Sequence, residues 1–232
     1  MKKSLLLFTF LILFLTGCGY TNFASGPVTT ETESIPIETD ITEGAIEIHF
    51  GVGTLHLSGE TNDFFSGSFT SNDELLFPNV NYKTVKNKAT LLLKPQKTKV
   101  KGNVKNEWNV AFTNQLPLSF KLNLGVGENN LTFDNLYLKD LSVHTGVGET
   151  IIDLSNVENN HFNVDVNSGV GSTKLLFSEN HAVVVDVRKG IGSVSANGFV
   201  VEENRYKTNI KSDNIINVTI SQGVGEVILV TK

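Results

Sequence analysis

Two aspartates, Asp165 and Asp186, each stand four residues before a Gly-x-Gly tripeptide. If the segments around them stack in sequence order, their backbones come roughly 4.8 Å apart. Two carboxylates roughly 5 to 9 Å apart can act as acid and base on a glycosidic bond, so a carbohydrate-active enzyme is one reading. The rest of that aligned row is Glu47, Lys121, Ser142 and Thr219, a mixed polar set that reads better as a solvated outer face. Glu128, Glu149 and Glu226 follow three of the tripeptides. On a stacked face they would offer oxygen ligands to a cation, though a solvated polar edge is the plainer reading. The histidines His49, His56, His144, His161 and His181 lack the close spacing of a helical zinc motif. None of the Gly-x-Gly elements continues as Gly-x-Gly-x-x-Gly into a helix, as a dinucleotide fingerprint requires. No nucleophile elbow can be named. The expectation is therefore no catalytic residue, no metal and no cofactor.

The strongest charge signal is basic. Lys83, Lys86, Lys88, Lys94, Lys97, Lys99, Lys101 and Lys105 occur with no acidic residue from Lys83 to Lys105, in a chain whose formal net charge is -5. Such a block can dock on anionic headgroups or an anionic wall polymer, each lysine near a membrane surface contributing about 1 kcal/mol. It can equally be a lysine-protected edge hairpin that resists strand-to-strand aggregation.

Elements that could position these groups come from one recurring tripeptide. Its copies are Gly51-Val52-Gly53, Gly125-Val126-Gly127, Gly146-Val147-Gly148, Gly169-Val170-Gly171, Gly190-Ile191-Gly192 and Gly223-Val224-Gly225. From the second copy to the fifth, the first glycines are 21, 23 and 21 residues apart, one supersecondary unit per interval. Three residues before the first glycine stand Ile48, Leu122, Val143, Val166, Val187 and Ile220; six after it stand Leu57, Leu131, Ile152, Leu175, Ala196 and Leu229. Period-two alternation on both sides of a glycine pair predicts two half-buried strands meeting at a bend. The glycines tolerate positive φ there, and the intervening Val or Ile is expected to point into the core. A unit of this size cannot bury its apolar face alone, so the units must stack. The expected fold is all-β, a stacked β-repeat solenoid resembling a β-helix, with a β-sandwich as the alternative. Phe65 to Phe69, Leu91 to Leu93 and Trp108 to Phe112 read as further strands.

At the start, Met1-Lys2-Lys3 precedes an apolar run from Leu5 to Leu15 and then Leu15-Thr16-Gly17-Cys18. This is the order of an export signal, and the run falls short of the roughly 20 apolar residues of a membrane span. Leu15 to Cys18 resembles the lipobox of bacterial lipoproteins. That resemblance implies residues 1–17 as a signal peptide and a diacylglyceryl group, with acyl chains such as palmitate, on the thiol of Cys18. Two acyl chains suffice for stable anchoring, and with its one cysteine so used the chain has no thiol left for a disulfide. Residues 18–43, rich in Ser, Thr and Glu with Pro27 and Pro36, read as a flexible tether. Residues 44–232 read as a single β-repeat domain.

From Trp108 to Leu154 the chain runs Trp108-Asn109-Val110, Leu116-Pro117-Leu118, Gly125-Val126-Gly127-Glu128, Leu131, Leu136 to Leu141 and Gly146-Val147-Gly148-Glu149. This stretch resembles the toast-rack domains of bacterial envelope proteins, including those of cell-wall-active antibiotic response. Phe65 to Phe69 and Asn79-Val80-Asn81-Tyr82 extend the likeness over most of residues 44 to 232. Members often carry Ala between the glycines where Val or Ile stands here. The resemblance implies an extracytoplasmic β-repeat domain associated with envelope stress. The function expected is a non-catalytic lipoprotein on the outer face of a cell membrane, an interaction or sensing module. Its partners would be the membrane, through the lipid anchor, and an envelope protein or anionic wall polymer. The alternatives are a wall-polymer-binding protein or a carbohydrate-active enzyme on the same scaffold. Nucleic acid is not an expected partner on that side of a membrane.

Overall fold

The computed structural model describes residues 26–97, 100, 103–159 and 161–232. The signal peptide and Cys18 lie outside the described residues, as do Lys99 and Lys101. Chain order begins with β1 (Thr29–Ile35), β2 (Glu43–Thr61) and β3 (Phe65–Ser71), then β4 (Pro78–Val85), β5 (Lys88–Pro95) and β6 (Asn106–Thr113). Four long strands follow: β7 (Pro117–Thr132), β8 (Tyr137–Leu154), β9 (Phe162–Phe177) and β10 (Ala182–Asn197). A short hairpin, β11 (Val200–Glu202) with β12 (Arg205–Lys207), leads to the last long strand, β13 (Ile215–Thr231).

Each long strand carries one tripeptide at its middle and pairs in parallel with the next rung along nearly its whole length. Residues on the two sides of the bend alternate between buried and outward positions. The two halves of every rung therefore face each other across a single core, giving a flat two-layered solenoid. Phe120, in the first half of its rung, meets Phe112 and Phe133 of the other layer edge-on at 5.1 and 5.4 Å. At the edge opposite the bend, short turns stack as well: Asn135 N–H donates to Asn156 O at 2.7 Å, and Asn156 Nδ2 donates to Asn135 Oδ1 at 3.2 Å.

Sterics make the bend glycine-specific. Gly148 has φ 137°, and a Cβ there would lie 1.9 Å from Gly127 O of the neighbouring rung. Only hydrogen fits between rungs stacked this closely.

The N-terminal end opens out. The β4–β5 hairpin extends the first layer by pairing with Glu43–Ile48 of β2, while β6, β3 and β1 extend the second layer from Thr54 onward. Trp108, Phe64, Phe65 and Phe112 fill the space between, all at 1 % exposure or less. The solenoid expectation holds: the strands form one sheet that does not close.

Three expectations change. Part of the stretch read as tether is ordered structure: Thr29–Ile35 forms β1, antiparallel to β3, and Ile41 is 5 % exposed. Ser, Thr and Glu do not signal burial, but an edge strand needs only backbone partners, and β3 supplies them. The stacking order is also not the chain order, because β13 lies between β9 and β10. Last, the residue between the glycines points outward: Val126, Val147, Val170, Val224 and Ile191 are 44 to 75 % exposed. The apolar rows sit at odd offsets before the bend and even offsets after it, so one residue per rung must lie at the corner and face neither layer's interior.

Candidate interaction surfaces

The basic block sits mainly on the β4–β5 hairpin. β4 is an edge strand paired only with β5, and Lys83, Lys88 and Lys94 occupy exposed positions that alternate with buried or partly buried ones such as Tyr82, Ala89 and Leu93. Lys86 holds the hairpin turn with φ 56°. Some of this charge is already matched: Lys97 Nζ lies 3.0 Å from Asp73 Oδ2, and Lys88 Nζ lies 3.9 Å from Glu43. Lys105 is tied through its backbone to Ser71 and Asn72. Lys121 and Lys139 of the next rungs, which sequence reasoning did not single out, pair with Glu47 at 3.0 Å and Glu43 at 2.5 Å. Lys121, helped by His49 at 2.9 Å, holds the Glu47 carboxyl below its ordinary range. Lys83, Lys88, Lys94, Lys121 and Lys139 thus belong to one outer face, that of the first layer, whereas Lys97 and Lys105 lie beside the β3 end.

The inserted β13 separates the aspartate pair. Thr219 stands between Asp165 and Asp186 in the ladder, which puts their backbones about 9.6 Å apart, two strand spacings. Asp186 is gripped by Arg205, with Nε at 2.8 Å and Nη2 at 3.2 Å, and this pairing holds its carboxyl below the usual range. Glu128 and Glu149 are direct neighbours, but Ser172 intervenes before Glu226. Among the described residues no three His, Cys, Asp or Glu side chains gather to hold a metal ion.

The histidines disperse. His49 bonds Glu47, and His161 is exposed. His181 is partly buried beside the β9–β10 connection with Nδ1 unpartnered, and burial pushes its pKa below 6.5. His56 stands on the outer face of the second layer, in a shallow concavity of about 840 Å³ crossed by β1, β3, β6, β2 and β7. Sequence reading missed that face, since its strands come together only through non-local pairing.

The model of the N-terminal domain of toast-rack proteins, a domain of unknown function, matches residues 24–176. That is well over half of the chain. The chain belongs to the toast-rack family. Its match begins upstream of β1, in keeping with a domain that starts before residue 44. Among solved structures, a candidate cell adhesion protein from Clostridium sporogenes superposes with TM-score 0.84 at 30 % identity, over 89 % of this toast-rack chain and 100 % of that one. A candidate adhesin from Bacteroides fragilis aligns over 88 % and 97 % at 15 % identity with TM-score 0.28, too low a score to carry an argument. No curated protein matches the chain in sequence. Among the described residues no helix is long and apolar enough to cross a membrane.

Proposed function

We propose that this toast-rack protein is a non-catalytic surface module of the cell envelope, cut after residue 17, lipid-anchored through Cys18 and tethered by the residues before β1. The observation that carries the proposal is the distribution of polar groups. They lie on broad outer faces of a solenoid whose apolar side chains, those at the corner apart, mostly fill its core, and Lys83, Lys88 and Lys94 gather on one such face. That basic face turns toward phosphate-bearing material, either lipid headgroups or an anionic wall polymer. The likeness to a candidate cell adhesion protein supports a binding role over a chemical one. In envelope stress the module would act by contacting a membrane sensor or transporter subunit, because a lipid anchor alone passes nothing across the bilayer.

The test is cross-linking in living cells, with and without a wall-targeting antibiotic. It compares the natural chain with Cys18→Ala and with a variant in which Lys83, Lys88 and Lys94 become Gln. Loss of the membrane fraction in Cys18→Ala is expected, as is drug-dependent recovery of an envelope protein. If only wall polymer or lipid is recovered, and the lysine variant loses it, the signalling role is wrong and surface binding stands. Retention of Cys18→Ala at the membrane overturns the anchor.

A further inference from the structure

The concave face of the second layer has an unusual make-up. One ladder row across it reads Thr32, Ser68, Asn109, His56 and Asn130. The adjacent outward row reads Ser34, Ser66, Ala111 and Ser58. None of these side chains is longer than histidine, over five strands and about 19 Å. Beyond Asn130 the first row continues as Ile151, Lys174 and Ile228, so the short residues end where the concavity ends. An exposed sheet face ordinarily carries long charged side chains of both signs for solubility. Here, among the described residues, no lysine or arginine lines the concavity, although the chain has 19 of them. Its lining also includes the acids Glu60 and Asp63, with Thr132, and Leu57, Gly67, Val110 and Glu33 from strand positions whose rows face the other side of the sheet.

We propose that this face binds a neutral glycan chain. Hydroxyl and carboxamide groups both donate and accept hydrogen bonds, the complement of a polyhydroxylated ligand. Part of that capacity is already used within the face, since Asn109 Nδ2 donates to Glu107 Oε1 at 3.1 Å. The short side chains leave a trough of about 840 Å³, within the range of ligand sites. The carboxylates repel a polyanion, which separates this site from the basic face. Among the described residues no Phe, Tyr or Trp lines the trough, so affinity rests on hydrogen bonds repeated across strands rather than on stacking. The two outer layers thus have opposite tastes: phosphate-bearing material for the lysine face, uncharged sugar for the trough. This inference does not depend on the anchor or on the lysines.

The experiment uses the full-length chain in neutral detergent, titrated with the uncharged hexa-N-acetylchitohexaose by calorimetry and by ligand-observed saturation-transfer NMR. Saturable binding is expected, weakened at least tenfold by Ser68→Arg, which fills the trough, and unchanged by Asn163→Ala, at an exposed position of β9 in the opposite layer. Should Ser68→Arg fail to fold, the double variant His56→Ala with Asn109→Ala removes two donors from outward positions and must weaken binding at least tenfold on its own. Absence of saturable binding to hexa-N-acetylchitohexaose overturns the proposal, as does binding that neither trough variant alters. A trough that takes polyglycerol phosphate or oligolysine in preference to the neutral sugar also overturns it.

Discussion

A single hydrogen atom decides whether two rungs can stack at the bend. Gly148 combines φ 137° with a hypothetical Cβ 1.9 Å from Gly127 O, so alanine there must displace backbone rather than a flexible side chain. Gly148→Ala is expected to cost at least about 2 kcal/mol, from left-handed strain together with a broken ladder. One position earlier, Val147 is 49 % exposed, and Val147→Thr should change stability by less than about 0.5 kcal/mol. Urea unfolding midpoints of the two variants check both, and equal losses would refute the corner placement of Val147. His181 supplies a pH prediction. Burial lowers its folded pKa below 6.5, so the unfolded chain takes up the proton first as pH falls. Stability is intact above about 6.5 and declines as pH drops through 6.5 toward the folded value. Melting at pH 7.5 and 5.5 should show a loss for the natural chain that His181→Gln reduces; an undiminished loss would place the responsible group elsewhere.

At the scale of elements, the consequential feature is β13 lying between β9 and β10. Ser221 neighbours Asn167 on one side and Arg188 on the other, whereas Asn167 and Arg188 stand two rungs apart. Disulfides form readily at Cα separations of about 4.4 to 6.8 Å. In a Cys18→Ala background, Asn167→Cys with Ser221→Cys should therefore oxidise to a cross-link visible as a gel shift. Asn167→Cys with Arg188→Cys should not, and the reverse result would restore the chain-order stack. Edge treatment differs among the terminal strands. On β1, Glu31 and Glu33 align with Phe69 and Gly67, whose rows face the core. Inward charge of this kind discourages pairing with another sheet. On β4 and its turn the exposed Lys83 and Lys86 serve the same end, which makes edge protection and anionic docking compatible uses of the same residues.

Over the whole molecule, order should be graded. The N-terminal end is closed by two layers over an aromatic core, with Phe50 and Phe69 both edge-on to Trp108 at 5.1 and 5.5 Å. At the other end β10 is covered only at Val184–Asp186 by β12, and Ala196 is only partly buried where its counterparts Leu131, Ile152, Leu175 and Leu229 are fully buried. Solenoid rungs are held mainly by their neighbours, and the thinnest neighbourhood opens first. Amide hydrogen exchange should be fastest in β11, β12 and the second half of β10, and slowest in β2, β6 and β7. Uniform protection along the stack would show a single cooperative unit instead.

Read alone, the sequence determined the all-β class, the rung length, the position of the bend and which residues face the core on each side of it. Those features are local: alternation and glycine act through the residues next to them. It also held the clue to the outward Val147 and its equivalents, since the change of parity between Val143 and Ile152 requires one residue at the corner, but β-branched chemistry argued the other way. Tertiary structure decided the rest. Any rung with apolar residues in the right rows can stack on any other, so pattern could not place β13 beside β9, separate Asp165 from Asp186, or draw Thr32, Ser68, Asn109, His56 and Asn130 into one row. Those outcomes depend on pairings between residues far apart in the chain, where only the sum of backbone hydrogen bonds and buried contacts selects the neighbour.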